Sequence, residues 1–210
     1  MRSSLAVAVV LLSGIAFAAD AGAQGGAQGH AANLALCGDP QPDKAIKGCT
    51  AIIELGGIKG MSLYDAHFNR GLAWSQKNQH VKAIADYDVA VKLRPKEAAL
   101  LQSRCWSRAV LGRLTQALQD CNAALAIDPR DPDTLEIRGF TYRKMRDFQR
   151  SLADYEAALE LRPDAASTLF GRGVTKQDMG VYDEGKADIR AARQMDAAAD
   201  ARYIEAGVHR

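Results

Sequence analysis

The spacing of proline is the feature that most constrains how this chain can fold. Pro95, Pro129 and Pro163 follow one another at intervals of 34 residues. A period of this length is typical of repeat proteins, in which each unit buries its apolar face only against its neighbours. The sequence therefore predicts one elongated solenoid rather than one or two globular cores. With proline placed at position 32, the units cover residues 64–97, 98–131, 132–165 and 166–199.

Columns of small and bulky residues support this register. Small side chains let two antiparallel helices approach closely, so such columns mark the heights at which helices touch. Position 8 holds Gly71, Cys105, Gly139 and Gly173, and position 27 holds Ala90, Ala124, Ala158 and Ala192. Position 24 is mostly bulky and apolar, with Tyr87, Cys121, Tyr155 and Ile189. Each unit is therefore predicted to be a helix–turn–helix pair.

In these columns, and in Ala83 and Ala117 at position 20, the chain resembles the tetratricopeptide-repeat family. The last two units depart from the family pattern at position 20, with Ser151 and Gly185, and the fourth has Ala197 in place of proline. The resemblance covers about two thirds of the chain. It implies an all-α fold, a right-handed superhelical solenoid of helix–turn–helix units.

Segments at both ends of the repeats are predicted to cap the solenoid, because an outermost repeat otherwise exposes its stacking face. Residues 34–63 form a half-repeat, since Asp43 to Ile52 matches the second helix of a unit. The offset from Ala45 to Ala83 is 38 residues, so the connection carries a four-residue insertion. Residues 200–210 are predicted to form a last capping helix, with an apolar face of Tyr203, Ile204 and Val208.

The N-terminal segment predicts export. An uncharged apolar run from Leu5 to Phe17 is followed by Ala18, at the end of a small-x-small sequence that signal peptidase recognises. We therefore predict a signal peptide over residues 1–18, with cleavage after Ala23 as the alternative, and an Ala/Gly/Gln-rich flexible tether over residues 19–33. The run is too short to span a bilayer, and no transmembrane segment is expected. The predicted location is the periplasm, with secretion as the alternative.

Four cysteines, an even number in an exported chain, indicate disulfide bonds. The register places Cys105 and Cys121 at matching heights on facing helices. Among the three possible connectivities, this favours Cys105–Cys121 and therefore Cys37–Cys49. The alternative is a redox function of free thiols, for which the sequence lacks a Cys-x-x-Cys pair.

Two charged columns run through all four units. Position 7 holds Arg70, Arg104, Arg138 and Arg172, and position 23 holds Asp86, Asp120, Asp154 and Asp188. Since the two positions lie at about the same height in a hairpin, we predict a structural ladder of bidentate Arg–Asp ion pairs, either within a unit or to the adjoining unit. The alternative is an arginine row that binds anionic ligands, although the aspartates would cancel its charge.

The sequence offers no constellation for catalysis, a cofactor or a metal. The four histidines are His30, His67, His80 and His209, and their spacing does not predict a metal site. No serine lies in a register with His and Asp that would suggest a nucleophile. The formal net charge is +2, without a clustered basic face, which argues against nucleic acid as a partner. We therefore expect a protein that is not an enzyme and has no cofactor.

The family resemblance implies that positions 2, 5, 9, 12 and 13 of the first helices line a concave groove. From these positions the predicted partner-binding residues are Phe68, Leu72, Trp106, Phe140, Arg143, Phe170 and Val174. The apolar column at position 9 either binds apolar peptide segments or packs between units. The sequence thus predicts a non-catalytic periplasmic scaffold or adaptor for a partner protein or peptide. The alternatives are a small-ligand-binding protein and an accessory subunit of a cell-envelope enzyme complex.

Overall fold

The computed structural model describes residues 29–58, 61–205 and 207. The predicted signal peptide, most of the tether and Val208 lie outside the described residues. Helix α1 covers residues 29–37. The following helices are α2 (Pro42–Glu54), α3 (Leu63–Gln76), α4 (His80–Leu93), α5 (Ala98–Val110), α6 (Leu114–Ile127), α7 (Pro132–Lys144), α8 (Phe148–Leu161), α9 (Ala166–Asp178), α10 (Tyr182–Met195) and α11 (Ala201–Glu205).

The helices of the repeats form four antiparallel pairs, α3–α4, α5–α6, α7–α8 and α9–α10. Neighbouring pairs stack through α4 on α5, α6 on α7 and α8 on α9, and each first helix also contacts the first helix of the next pair. Helix α2 packs on α3 at the N-terminal end. Each unit therefore touches its neighbours in turn, and the prediction of an all-α solenoid is confirmed.

The turn between the two helices of each unit uses the same backbone conformation. Position 15 is in the left-handed region in all four units, with φ of 56° at Asn78, 75° at Gly112, 63° at Arg146 and 85° at Gly180. Glycine adopts this conformation without steric cost and asparagine tolerates it, whereas Arg146 holds it with a long side chain. The repeated turn sets the antiparallel direction of every second helix.

Inside each pair a small residue at position 8 faces a bulky one at position 24. A Cβ atom on Gly71 would collide with the ring of Tyr87, and one on Gly139 would press against Tyr155. Both tyrosines are fully buried. The glycines are therefore required by close approach, because the aromatic ring occupies the space that a side chain would need.

Helix α1 begins within the segment that was predicted to be a flexible tether. Its last residues pack into a small core, in which Leu34 and Cys37 lie against Cys49, Ile52 and Ala66. Alanine-rich sequence favours a helix, and this apolar contact gives the helix a surface to pack on. Residues 29–33 are therefore helical in this structure, within the segment that was predicted to be a tether.

Candidate functional site

The first helices, which the family resemblance assigns to a concave face, carry four apolar residues at position 9. We call this the groove row: Leu72, Trp106, Phe140 and Val174. Leu72 and Trp106 are partly buried, whereas Phe140 is 1% exposed and Val174 is 0% exposed. The same column is thus partly exposed in the first two repeats, which we call its open half, and buried in the last two, its closed half.

Helix α11 closes the C-terminal half of the groove row. The ring of Tyr203 lies edge-on to Phe140 at 5.6 Å and tilted against Phe170 at 5.3 Å. Its hydroxyl donates a hydrogen bond of 3.2 Å to the hydroxyl of Tyr155. Tyr203 is only 2% exposed. A Cβ atom at Gly171 would collide with this hydroxyl, so the glycine is needed for the closure.

Three of the predicted partner-binding residues are therefore buried in this structure. Phe140, Phe170 and Val174 belong to one core cluster with Tyr203 and Ala199. The C-terminal segment covers them, which the repeat pattern alone did not indicate. Ile204, which was predicted to share the apolar face of the last helix with Tyr203, is 47% exposed.

The N-terminal half of the groove row remains partly accessible. Phe68 stacks on Tyr64 with 5.9 Å between ring centroids and is partly buried. Trp106 contacts Phe140 at 5.3 Å, at the border between the open and closed halves. A cavity of about 180 Å³ lies beside Leu72, and it is lined by Cys37, Gly38, Asp39, Pro40, Ala45, Asn69, Leu72, Ala73 and Gln76.

Arg143, the predicted charged contact of the groove, pairs with the next unit. Its Nε donates a hydrogen bond of 2.7 Å to Oδ2 of Asp178, and its side chain is 14% exposed. The neighbouring Lys144 donates from Nζ to the carbonyl oxygens of Ala109 and Val110, at 3.0 and 3.2 Å. These carbonyls end α5, where a cation is favourable. Burial, together with the charge of Arg143, lowers the pKa of the Lys144 amine.

Other polar groups of the first helices are used in junctions between units. Glu136 is buried and accepts hydrogen bonds from the hydroxyls of Ser167 at 3.1 Å and Thr168 at 2.7 Å. Gln102 donates from Nε2 to Oδ2 of Asp131 at 2.6 Å. These side chains satisfy one another, so they stabilise stacking rather than presenting polar groups to a ligand.

The arginine and aspartate columns form four bidentate ion pairs, each inside one unit. In every pair Nε and Nη2 of the arginine donate to the two carboxylate oxygens, over distances of 2.7–2.9 Å. The pairs are Arg70–Asp86, Arg104–Asp120, Arg138–Asp154 and Arg172–Asp188. The aspartates are largely buried. Because the guanidinium groups are engaged with carboxylates, this geometry favours the structural ladder over an anion-binding row.

The ladder also connects neighbouring units, through acceptors outside the aspartate column that the sequence analysis did not predict. Nη1 of Arg104 donates to Asp88 at 2.8 Å, and Nη1 of Arg138 donates to Asn122 at 2.9 Å, each in the preceding unit. Nη1 of Arg70 donates to Thr50 at 3.0 Å, with a separation of 20 residues instead of 16. The difference equals the four-residue insertion. A polar column at position 25 was the available signal.

Two disulfide bonds account for all four cysteines. Cys37 is bonded to Cys49 with 4.5 Å between Cα atoms, and Cys105 is bonded to Cys121 with 5.5 Å. The second bond occupies the place that a glycine and a tyrosine fill in the first and third units. Both bonds lie in the part of the solenoid whose groove row is open.

The part of the chain that the structure describes shows neither a metal site nor a membrane span. Among them no group of three or more His, Cys, Asp or Glu side chains could hold a metal ion. None of the described helices has the length and apolar character that crossing a bilayer requires. His67 instead shares a hydrogen bond of 2.8 Å between its Nδ1 and Oδ1 of Asp86, beside the first ion pair of the ladder.

Comparisons with known proteins agree with this architecture. The solved structure of MamA residues 41 to the end, from Desulfovibrio magneticus RS-1, is 14% identical and covers 82% of this chain and 96% of its own, with a TM-score of 0.67. Another MamA crystal structure is 15% identical and covers 74% and 89%, with a TM-score of 0.62. At this identity the likeness shows a shared fold. No curated protein matches the sequence.

A family model gives the more specific match. Residues 139–175, from the middle of α7 to α9, match the model of the tetratricopeptide repeat. The matched segment spans one full period of the chain, and the same columns and the same helix pair recur in the units before and after it. The chain thus contains a segment that matches the tetratricopeptide repeat, and its other units share the columns and the helix pair of that segment.

Proposed function

We propose that this protein is a non-catalytic scaffold that binds an apolar segment of a partner protein in the N-terminal half of its concave face. The observation that carries the proposal is the uneven burial of the groove row. Leu72 and Trp106 keep exposed apolar surface, whereas Phe140 and Val174 are covered by the chain itself. Apolar residues that recur along an open concave surface are typical of a site for a partner segment.

The size of the cavity beside Leu72 favours a side chain of a peptide over a separate small molecule. Its volume of about 180 Å³ lies below the roughly 300–1,000 Å³ of most small-molecule sites. One apolar anchor in this cavity, with a second against Trp106, would suit a helical or extended segment. Asn69 and Gln76 at the rim of the cavity could bond the backbone of such a segment.

We further propose that the protein works after export, in the periplasm. The apolar N-terminal run and the pairing of all four cysteines support this location. Disulfide bonds form and persist in oxidising compartments and are rare where thiols are kept reduced. Isolation of the protein from a periplasmic fraction, with its N-terminus at Ala19 or Gln24, would support export and the predicted cleavage sites.

The test is a binding measurement on purified protein and on the partner that co-purifies with it from a periplasmic extract. Leu72→Ala and Trp106→Ala should each weaken the complex by about 1–3 kcal/mol, roughly 5- to 150-fold in Kd. Leu93→Ala is the matched control, since Leu93 is an exposed apolar residue at the end of a second helix. If the two groove variants bind as well as the control, the concave face is not the binding surface.

A further inference from the structure

The C-terminal end of the solenoid carries a surface that differs in charge from every internal junction. Helix α10 presents Lys186, Ile189, Arg190 and Arg193, which recur at helical spacing and therefore share one face. We call this the end face; its residues occupy positions 21, 24, 25 and 28. Internally, position 21 is Ile84, Leu118 and Leu152, position 25 is Asp88, Asn122 and Glu156, and position 28 is Val91, Leu125 and Leu159. In the last unit, cations thus replace apolar residues at positions 21 and 28, and a cation replaces acidic or amide residues at position 25.

Internal junctions show what this face of a second helix receives. The first helix of the next unit packs on it, and the arginine of that helix donates to position 25, as Arg104 does to Asp88 at 2.8 Å. Position 25 of the last unit is Arg190. An incoming helix with arginine at that height would meet a like charge, whereas a helix with a carboxylate would meet an opposite one.

The end face also has a cavity that side chains of an incoming helix could enter. A cavity of about 420 Å³ lies between α9 and α10, lined by Phe170, Gln177, Lys186, Ile189, Arg190 and Arg193. Phe170 and Ile189 provide apolar surface, and the cations surround it. Helix α11 leaves this cavity in place while its Tyr203 packs on α7, α8 and α9.

One cation of this face already holds a carboxylate. Nη2 of Arg193 donates to Oδ2 of Asp200 at 2.9 Å, from the segment that leads into α11. Arg190 and Lys186, one and two turns earlier on the same face, are both exposed. The geometry of a carboxylate bound to this face is therefore present in the chain itself.

We propose that the end face docks an amphipathic helix of a partner protein, which carries carboxylates at the height where the repeats of this chain carry arginine. A second copy of this chain does not fit the description. Its position 7 is arginine in every unit, and residues 29–37 of its N-terminal helix contain no acidic residue. The end face is separate from Leu72 and Trp106, so this proposal and the proposed concave site can fail independently.

The experiment uses two synthetic peptides with the sequence of α9, residues 166–178. One has the natural sequence, and the other carries Arg172→Glu and Lys176→Glu. A side-chain crosslink holds both peptides helical, because isolated helices of this length are marginal in water. Fluorescence anisotropy at about 0.15 M salt, which screens distant charges, should show the acidic peptide binding roughly tenfold more tightly to the wild-type protein.

Charge reversal on the protein locates the effect. Lys186→Glu with Arg190→Glu should invert the preference, so that the natural peptide becomes the tighter one. Lys92→Glu with Lys96→Glu changes the net charge equally at exposed residues far along the chain, and should keep the wild-type preference. Circular dichroism checks that each variant is folded. Arg190→Ala, the milder change, should reduce the preference about threefold.

Two results would overturn the proposal. One is equal affinity of the two peptides for the wild-type protein, which would show that charge at the end face does not select a helix. The other is a preference that survives reversal of Lys186 and Arg190 or that changes equally in the control, because the peptides would then bind elsewhere or respond only to net charge.

Discussion

The two halves of the groove row have the same register and similar side chains but different exposure. Leu72 and Trp106 lie in the open half, and Phe140 and Val174 lie in the closed half. The difference comes from α11, a segment outside the repeats, whose Tyr203 covers the closed half. Periodicity thus determines which face of a helix a residue occupies, whereas a non-repeating segment determines whether that face is surface or core.

The halves also differ in how they are held together. The open half contains both disulfide bonds, Cys37–Cys49 and Cys105–Cys121. The closed half contains a cluster of aromatic rings, formed by Phe140, Tyr155, Phe170 and Tyr203, and this cluster extends to Cys105 and Cys121 of the open half. In addition to buried apolar contacts, the open half thus has covalent links that restrict its unfolded chain.

The largest expected effect comes from truncating one residue of the groove row in each half. Phe140→Ala should lower the free energy of unfolding by about 3–5 kcal/mol, because it leaves a cavity against Trp106 and Tyr203. Leu72→Ala should cost less than about 2 kcal/mol, since part of its side chain is already in water. Urea unfolding followed by circular dichroism measures both. Equal losses would show that the halves do not differ in packing.

The second prediction concerns the covalent link in the open half. Cys105→Ala with Cys121→Ala should lower stability by about 3 kcal/mol, because a loop of 16 residues is no longer closed in the unfolded chain. Hydrogen exchange followed by mass spectrometry should show faster exchange in α5 and α6. Faster exchange confined to α9 and α10 would contradict the assignment of this stabilisation to the open half.

A smaller effect is expected from removing the cover of the closed half. Tyr203→Ala should cost about 1–3 kcal/mol and should speed hydrogen exchange in α7 and α9, because Phe140 and Phe170 lose their aromatic neighbour. Tyr203→Phe is the control: it keeps the ring and removes only the hydrogen bond to Tyr155. If α7 and α9 exchange equally fast in the wild type and in Tyr203→Ala, α11 does not close the groove row.

The sequence predicted contacts within a unit better than contacts made by the ends. Arg104 and Asp120 lie at the same height in their hairpin, and so do Cys105 and Cys121. The height of a residue along a hairpin follows from its position in the repeat, so contacts of this kind can be predicted from the sequence. The bond from Arg104 to Asp88 was not predicted. The column that contains Asp88 changes its charge from unit to unit, so it gives no acidic pattern that matches the arginines.

The contacts of Tyr203 with the closed half could not be predicted from the repeat pattern, for a different reason. Its contacts with Phe140 and Tyr155 join residues far apart in the chain, and no other unit has an equivalent of α11 to show the pattern. The capping prediction for this segment was based on the general need to cover a stacking face. A sequence pattern of that kind indicates that a helix exists but does not say on which face it packs.

The smallest effect concerns the ladder, which both halves share, at its last pair in the closed half. Burial raises the pKa of Asp188, but hydrogen bonds from Arg172 and Lys176 and their charges outweigh it, so the pKa lies below its ordinary value of 3.8. A depressed pKa stabilises the fold above that ordinary value, and the stabilisation is lost as the pH falls through the folded-state pKa. Asp188→Asn should therefore cost up to about 1 kcal/mol near pH 7, since the pair is partly solvated.

In urea unfolding this cost should disappear at low pH, where Asp188 of the wild type is also neutral. Asp164→Asn, an exposed site in a loop, is the control and should show little cost at either pH. A cost for Asp188→Asn that stays constant down to about pH 2 would mean that the carboxylate charge does not stabilise the last pair.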